Sequence, residues 1–174
     1  MEPELREKIE KIKVVCLDVD GVLTNGKIVL DDTGRDIKAF DAKDGLGVHL
    51  LRKAGIKTAI ISAKSSGAID FRAKDLKIDR VYQDAYPKNE AFEDMLNFFG
   101  IRDEDVCFIG DDLPDICIFR RAGLAIAPQN ASFEAKQEAD YVTERYGGDG
   151  AVREAIELIL KGQGKWKDIL NSYH

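Results

Sequence analysis

Four polar clusters stand out from the sequence, and residue type and order set the chemistry they could perform. They are Asp18-Val19-Asp20-Gly21-Val22-Leu23-Thr24, Ser62-Ala63-Lys64, Pro87-Lys88 and Gly110-Asp111-Asp112-Leu113-Pro114-Asp115. Carboxylates gathered in one place repel one another and are costly without a cation. An all-oxygen set of this kind suits Mg²⁺, which keeps several waters and accepts phosphate oxygens. Taken singly, each cluster has a plainer explanation. A lone D-x-D is usually a turn or an N-cap, a lone serine after a strand a helix cap, and a lone lysine a solvated charge. Asp111-Asp112-Leu113-Pro114 could simply cap a helix, since proline suits the first turn. Whether they form a site depends on the elements that carry them.

Those elements are short apolar runs alternating with helical patterns. Residues 13–18, 57–61, 80–82, 106–110 and 124–127 read as buried strands, with a weaker strand at 141–143. They are too short for core helices and are often β-branched. Between them, Ala91, Phe92, Met95, Leu96 and Phe99 follow helical spacing and stop at Gly100, a residue suited to a left-handed cap. Val152, Ala155, Ile156 and Ile159 repeat the pattern; further helices are expected over 45–54, ending at Gly55, and over 65–74, opening on a capping serine. Continuously apolar strands alternating with helices mean an α/β fold: a doubly wound parallel sheet covered on both faces. Ligands in such sheets sit beyond the carboxyl ends of the strands, which is where all four clusters fall.

One segment breaks the alternation. Residues 26–30 and 35–40 flank Asp31-Asp32-Thr33-Gly34 and read as a β-hairpin flap over about 26–40, with Gly34 free to take positive φ. Gly147-Gly148-Asp149-Gly150 reads as a loop, and the tail over about 161–174, with Gly162, Gly164 and Trp166, as a loosely attached end. The whole of 1–174 is expected to be one domain, the usual size for such a length.

Composition narrows the function classes. Hydrophobic residues make up 44% and charged residues 33%, an ordinary globular balance. Asp and Glu outnumber Lys and Arg, 32 to 26, for a net charge of −6, which argues against a phosphate-coating nucleic-acid binder. No stretch approaches the roughly 18 apolar residues of a membrane span. Met1–Arg6 is too charged for the core of a secretory signal, so the expectation is a soluble cytoplasmic protein with no membrane or nucleic-acid partner. Cys16, Cys107 and Cys117 include no C-x-x-C pair and read as small core residues in a reducing compartment.

In this order, the four clusters resemble the motifs of the haloacid dehalogenase superfamily of phosphatases: Asp18–Thr24 the first, Ser62 the second, Lys88 the third and Gly110-Asp111-Asp112 the fourth. More narrowly, the glycine-bearing hairpin, Ala39-Phe40-Asp41-Ala42-Lys43-Asp44-Gly45 and Gly147–Glu154 resemble the small 3-deoxy-D-manno-octulosonate 8-phosphate phosphatases. The resemblance implies that Asp18 attacks phosphorus to form an aspartyl-phosphate and that Asp20 protonates the departing sugar oxygen, then deprotonates the attacking water. It also implies that Mg²⁺ is held by the Asp18 carboxylate, the Asp20 carbonyl and Asp111, with Asp112 and Asp115 as candidates around it. Ser62 would donate to the phosphate and Lys88 offset charge. Gly21 would let backbone amides face the phosphate.

Two departures from the family pattern bear on the substrate. Ser62-Ala63-Lys64 stands where relatives commonly carry Thr-Gly-Arg, and lysine lacks the bidentate fork of arginine. His49 is either a helix-surface residue or a substrate contact.

Spacing excludes a large cap domain, so the site needs another lid. Ile28, Val29, Leu30, Ile37 and Phe40 give the hairpin more apolar surface than a solvated flap needs, which predicts packing against other subunits. The resemblance implies a homotetramer, with Asp41, Ala42, Lys43, Asp44 and Gly45 contributing to the substrate pocket and Lys64 and Arg72 as candidate cations for a sugar-acid carboxylate. The implied substrate is a small acidic sugar phosphate and the implied setting lipopolysaccharide precursor synthesis. Alternatives are a phosphatase for a nine-carbon sialic-acid-type 9-phosphate, a broad-range phosphatase, a phosphoacceptor receiver domain and a catalytically silent scaffold. The second carboxylate, Asp20, weighs against a receiver, because it promotes loss of a phosphoryl group that a lasting switch should retain.

Overall fold

Every residue of Val14–Leu17 (β1) is buried, because this strand lies inside the sheet and helices cover both of its faces. The computed structural model describes residues 2–173. The other strands are β2 (Lys57–Ile61), β3 (Arg80–Tyr82), β4 (Val106–Ile109), β5 (Leu124–Ala127) and β6 (Tyr141–Val142). They form one sheet in the order β3-β2-β1-β4-β5-β6, and each neighbouring pair is parallel. The chain winds outward from β1 through β2 to β3, then returns to β4 on the other side of β1. The crevice beyond β1 and β4 is therefore the topological switch point of the sheet.

The helices are α1 (Pro3–Lys11), α2 (Ala42–Lys53), α3 (Gly67–Leu76), α4 (Lys88–Phe99), α5 (Ile116–Phe119), α6 (Phe133–Glu138), α7 (Ala151–Gly162) and α8 (Trp166–Asn171). Successive strand residues serve opposite faces. Val15, Leu17, Ile60, Cys107 and Ile109 join one core with α1, α2, α3, α7 and α8. Val14, Cys16, Ala59, Ile61 and Phe108 join the other with α4, α5 and α6. In α4 the stripe formed by Phe92, Met95 and Leu96 is buried, and Gly100 ends the helix at φ +64 with its amide bonded to the Asn97 and Leu96 carbonyls.

Five features differ from the sequence expectation. Helix α2 starts at Ala42 rather than 45, because the Asp41 carboxylate caps the amides of Lys43 and Asp44 at 2.7 and 3.0 Å. Helix α3 is capped by Ser66, one residue beyond the expected serine, through a bond from the Ala68 amide. The flap is a hairpin with one antiparallel bridge, Leu30 to Asp36, rather than two regular strands. Its arms are tied by Ile37 N to Val29 O and Asp31 N to Arg35 O, and its turn by Gly34 at φ +80. The tail is attached: α8 folds back on α7 through Gly164 at φ +70 and buries Ile169. Gln163 reinforces this end by donating to the Ile9 and Ile12 carbonyls. Helix α1, not anticipated, docks through Ile9. Among the described residues no helix is long and apolar enough to cross a membrane.

Candidate active site

Beyond β1 the Asp18 amide still donates to the Ile109 carbonyl at 2.9 Å, so the strand ladder itself places Asp18 at the sheet's edge. The chain then turns sharply. The amides of Val22 and Thr24 both donate to the Val19 carbonyl, and the buried Thr24 hydroxyl accepts from the amides of Gly21 and Gly26. Gly21 sits at φ +91, and a Cβ there would lie 2.0 Å from Asp111 Oδ2. From the other side Gly147 packs so closely that a Cβ would come within 1.7 Å of the Gly21 carbonyl oxygen. The Gly148 amide donates to the Val22 carbonyl at 3.0 Å. Glycine is thus required at both positions for close approach, and at Gly21 for backbone conformation as well.

The charges are arranged around Lys88, the first residue of α4. Its Nζ lies 2.8 Å from Asp18 Oδ1 and 2.6 Å from Asp115 Oδ1, and its side chain is 2% exposed. Burial works against this ammonium, but the two carboxylates outweigh it and raise its pKa above the ordinary lysine range. The other Asp115 oxygen accepts from the amides of Asp111 and Asp112 at 2.8 and 3.2 Å. Asp115 therefore shapes the fourth cluster and clamps the lysine. Asp112 is exposed and caps the Leu113 amide at 2.8 Å. The sequence favours Asp112 over Asp115 as a group around the cation; the structure reverses that order, placing Asp115 in the carboxylate cluster.

Asp18, Asp20, Ser62, Lys64, Lys88, Asp111, Asp112 and Asp115 line one cavity of about 260 Å³. The Ser62 hydroxyl is buried and accepts from the Lys64 amide at 3.3 Å. One carboxylate oxygen from each of Asp18, Asp111 and Asp115 lies within 4.8 Å of the others. No donor among the described residues reaches the Asp111 carboxylate, and its pKa is pushed up to about 8 by burial and then by Asp18, Asp115 and Asp112. Burial likewise lifts Asp18 to about 6 despite Lys88. One lysine does not balance three acids, and an all-oxygen donor set with an unpartnered carboxylate fits a hard divalent cation. The expected set of Asp18, Asp20 and Asp111 shares the cavity; Asp115 stands closer to the shared carboxylate cluster than its expected outer place.

Several substrate candidates lie elsewhere within one subunit. Asp41 and Lys43 line a separate cleft of about 650 Å³ with Arg145 and Arg153. Ala42 and His49 are exposed on α2, so His49 takes the helix-surface position that was one of its two readings. Gly45 packs on the Arg72 guanidinium. That group is already engaged, donating to the Asp41 carbonyl and to Asp75 and resting over the Phe40 ring. Asp44 is not free for substrate either, since its carboxylate accepts from the amides of Arg153 and Gly150 at 2.7 and 3.3 Å.

Asp44 carries a stability prediction. Burial raises its pKa to about 6, with Asp41 and Asp149 adding to the effect of burial against the two amide bonds. The folded state then holds this proton more tightly than the unfolded chain. The associated stability is present in full below about pH 4 and is lost as pH rises through about 6. Wild-type stability relative to Asp44→Asn should therefore fall by up to ~3 kcal/mol between pH 4 and pH 7 in urea titrations. A difference that stays flat would mean that Asp44 ionises freely.

One residue of the site was not foreseen. Lys38, on the return arm of the hairpin, places Nζ 2.6 Å from Asp20 Oδ1 and 2.9 Å from Asp36 Oδ2. The sequence signal is slight: a lysine two residues after an aspartate in an arm otherwise read for its apolar side chains.

An open parallel sheet with paired aspartates beyond its first strand, and a lysine and an acidic loop beyond later ones, defines the haloacid dehalogenase-like hydrolases. The model of that family matches residues 71–156. The 3-deoxy-D-manno-octulosonate 8-phosphate phosphatase KdsC of Salmonella typhimurium is 39% identical over 163 residues, covering 94% of this chain and 87% of the relative. The crystal structure of 3-deoxy-D-manno-octulosonate 8-phosphate phosphatase from Moraxella catarrhalis, in complex with magnesium, phosphate and KDO, superposes with a TM-score of 0.97 at 38% identity over 100% of both chains. The cobalt-bound enzyme of Haemophilus influenzae gives a TM-score of 0.88 at 38% identity, covering 91% of this chain and 92% of the other. The chain belongs to the 3-deoxy-D-manno-octulosonate 8-phosphate phosphatase family of haloacid dehalogenase-like hydrolases.

Proposed function

We propose that this protein is a Mg²⁺-dependent phosphomonoesterase that hydrolyses 3-deoxy-D-manno-octulosonate 8-phosphate to the free sugar acid and phosphate. The observation that carries the reading is the Asp18 carboxylate held 2.8 Å from the Lys88 ammonium, in a cavity it shares with Asp20 and Asp111. An Asp18 oxygen attacks phosphorus, the P–O bond to the sugar breaks, and Asp20 gives its proton to the departing oxygen. Asp20, now a carboxylate, takes a proton from water. The resulting oxygen attacks the aspartyl-phosphate, releasing phosphate and restoring Asp18. Lys88 and the Ser62 hydroxyl balance and orient the phosphoryl oxygens. The Asp18 and Asp111 carboxylates and the Asp20 carbonyl would hold the cation, beside Asp115. When bound, it neutralises the acids and the phosphoryl charge.

Lys64 lines the cavity and is the cation available there for the substrate carboxylate, since Arg72 is engaged elsewhere. Ile28 at 67%, Leu30 at 58% and Ile37 at 52% exposure support burial of the hairpin against other copies, and we propose a homotetramer. In such an assembly Asp41 and Lys43 would reach substrate only from a neighbouring subunit. Sedimentation should give a mass of four chains; a monomer would dismiss this arrangement. The free thiols of Cys16, Cys107 and Cys117 accord with a cytoplasmic setting.

Phosphate release from 3-deoxy-D-manno-octulosonate 8-phosphate should be rapid with Mg²⁺, should stop with chelator and should return when Mg²⁺ is restored in excess. Equal turnover of a sialic-acid-type 9-phosphate and unrelated sugar phosphates would replace the narrow assignment with a broad-range phosphatase.

A further inference from the structure

The carboxylate assigned to proton transfer has a single anchor. Among the described residues, the only side-chain partner of Asp20 is Lys38, at 2.6 Å. The Lys38 side chain is 4% exposed although it comes from the flap, whose outward residues are largely solvated. Its second contact, to Asp36 Oδ2 at 2.9 Å, lies at the single bridge that closes the hairpin. Asp36 in turn lines a shallow cavity with Lys64 and Ser65 of the loop after β2. One ammonium therefore ties the first catalytic loop to the flap.

This arrangement differs from an ordinary surface ion pair. A long side chain held by one exposed partner loses rotamer freedom for little return. Here two carboxylates hold the ammonium and its side chain is enclosed, so the lysine is held more firmly than in an exposed pair. Asp20 is itself partly exposed, 25% by side chain, and sits on a loop that turns at Gly21. Without the bridge nothing restricts its carboxylate to the orientation from which it can reach both the leaving oxygen and the attacking water. Misplacement of a proton-transfer group by about 1 Å can cost as much as 10²-fold in rate.

We propose that Lys38 is a positioning residue that acts through Asp20, with the flap serving as the strut that carries it. The inference rests on the phosphatase reading above. It assigns the flap a part in the chemistry as well as in covering the site.

The test is a double-mutant cycle with 3-deoxy-D-manno-octulosonate 8-phosphate and saturating Mg²⁺. Lys38→Met should lower kcat at least tenfold with KM within about twofold of wild type, and Lys38→Arg should recover most of the loss. In an Asp20→Asn background Lys38→Met should cost nothing further, because the group it positions is already gone. Should Lys38→Met fail to fold, Lys38→Gln takes its place in the cycle. An unchanged kcat, or an equal loss with and without Asp20, would overturn the proposal while leaving the phosphatase reading intact. A wild-type enzyme that released no phosphate would remove the reading, and this proposal with it.

Discussion

Asp18→Asn is expected to hydrolyse no phosphate ester above background, a fall of about 10⁴-fold or more, since in the proposed mechanism this residue supplies the attacking oxygen. The amide keeps the shape of the carboxylate, and its oxygen can still accept from Lys88, so the variant should fold. Asp20→Asn should behave differently. Loss of a positioned acid/base typically costs about 10²–10⁴-fold. The cost should depend on the leaving group. An aryl phosphate, whose leaving oxygen needs little protonation, should lose less in the first step than a sugar phosphate. Rapid-quench assays should then find phosphorylated Asp18 accumulating in Asp20→Asn, because water attack is also impaired. If Asp18→Asn retained turnover, or if both substrates lost the same factor in Asp20→Asn with no phosphoenzyme, the assigned roles would be wrong.

Lys88→Met should produce the largest loss of stability. The ammonium is 2% exposed and touches carboxylates of Asp18 and Asp115, the latter equally enclosed. Removing one partner from a buried ionic cluster typically costs about 3–5 kcal/mol, because the remaining charge is left unpaired. Here two carboxylates would face each other across the space the lysine filled. For a chain of this length the shift in melting temperature should be about 10 °C. Added Mg²⁺ should recover part of it by neutralising the same acids. A melting temperature unchanged within a degree would show that the cluster tolerates the loss, and that Lys88 serves the reaction alone.

The central strands and the acids that share the cavity are legible because their signal is local. Runs such as Val106-Cys107-Phe108-Ile109 are apolar throughout and too short for helices, and those of β1, β2 and β4 lead within two residues to Asp18, Ser62 and Asp111. The start of α2 has no clear sequence signal because Asp41-Ala42-Lys43-Asp44 lacks apolar periodicity. Its helical state is instead secured by the Asp41 cap and by Asp44 binding amides more than a hundred positions away. The tail looked loose because Gly162 and Gly164 suggest weak structure, whereas Gly164 provides the reversal that buries Ile169. Lys38 and the central place of Asp115 depend on tertiary contacts. A lysine on a flap and the last acid of an acidic loop have no local pattern that reveals which partner they meet.

The position of β1 between β2 and β4 has a kinetic corollary. The Asp18–Lys88 contact spans 70 positions of chain, and Asp111 and Asp115 lie farther along still. Loops of this length must close before such pairings repay their entropy, so they form late and together. The acid cluster therefore depends on the pairing of β1 with β4, which brings Asp18 beside Asp111 and Asp115.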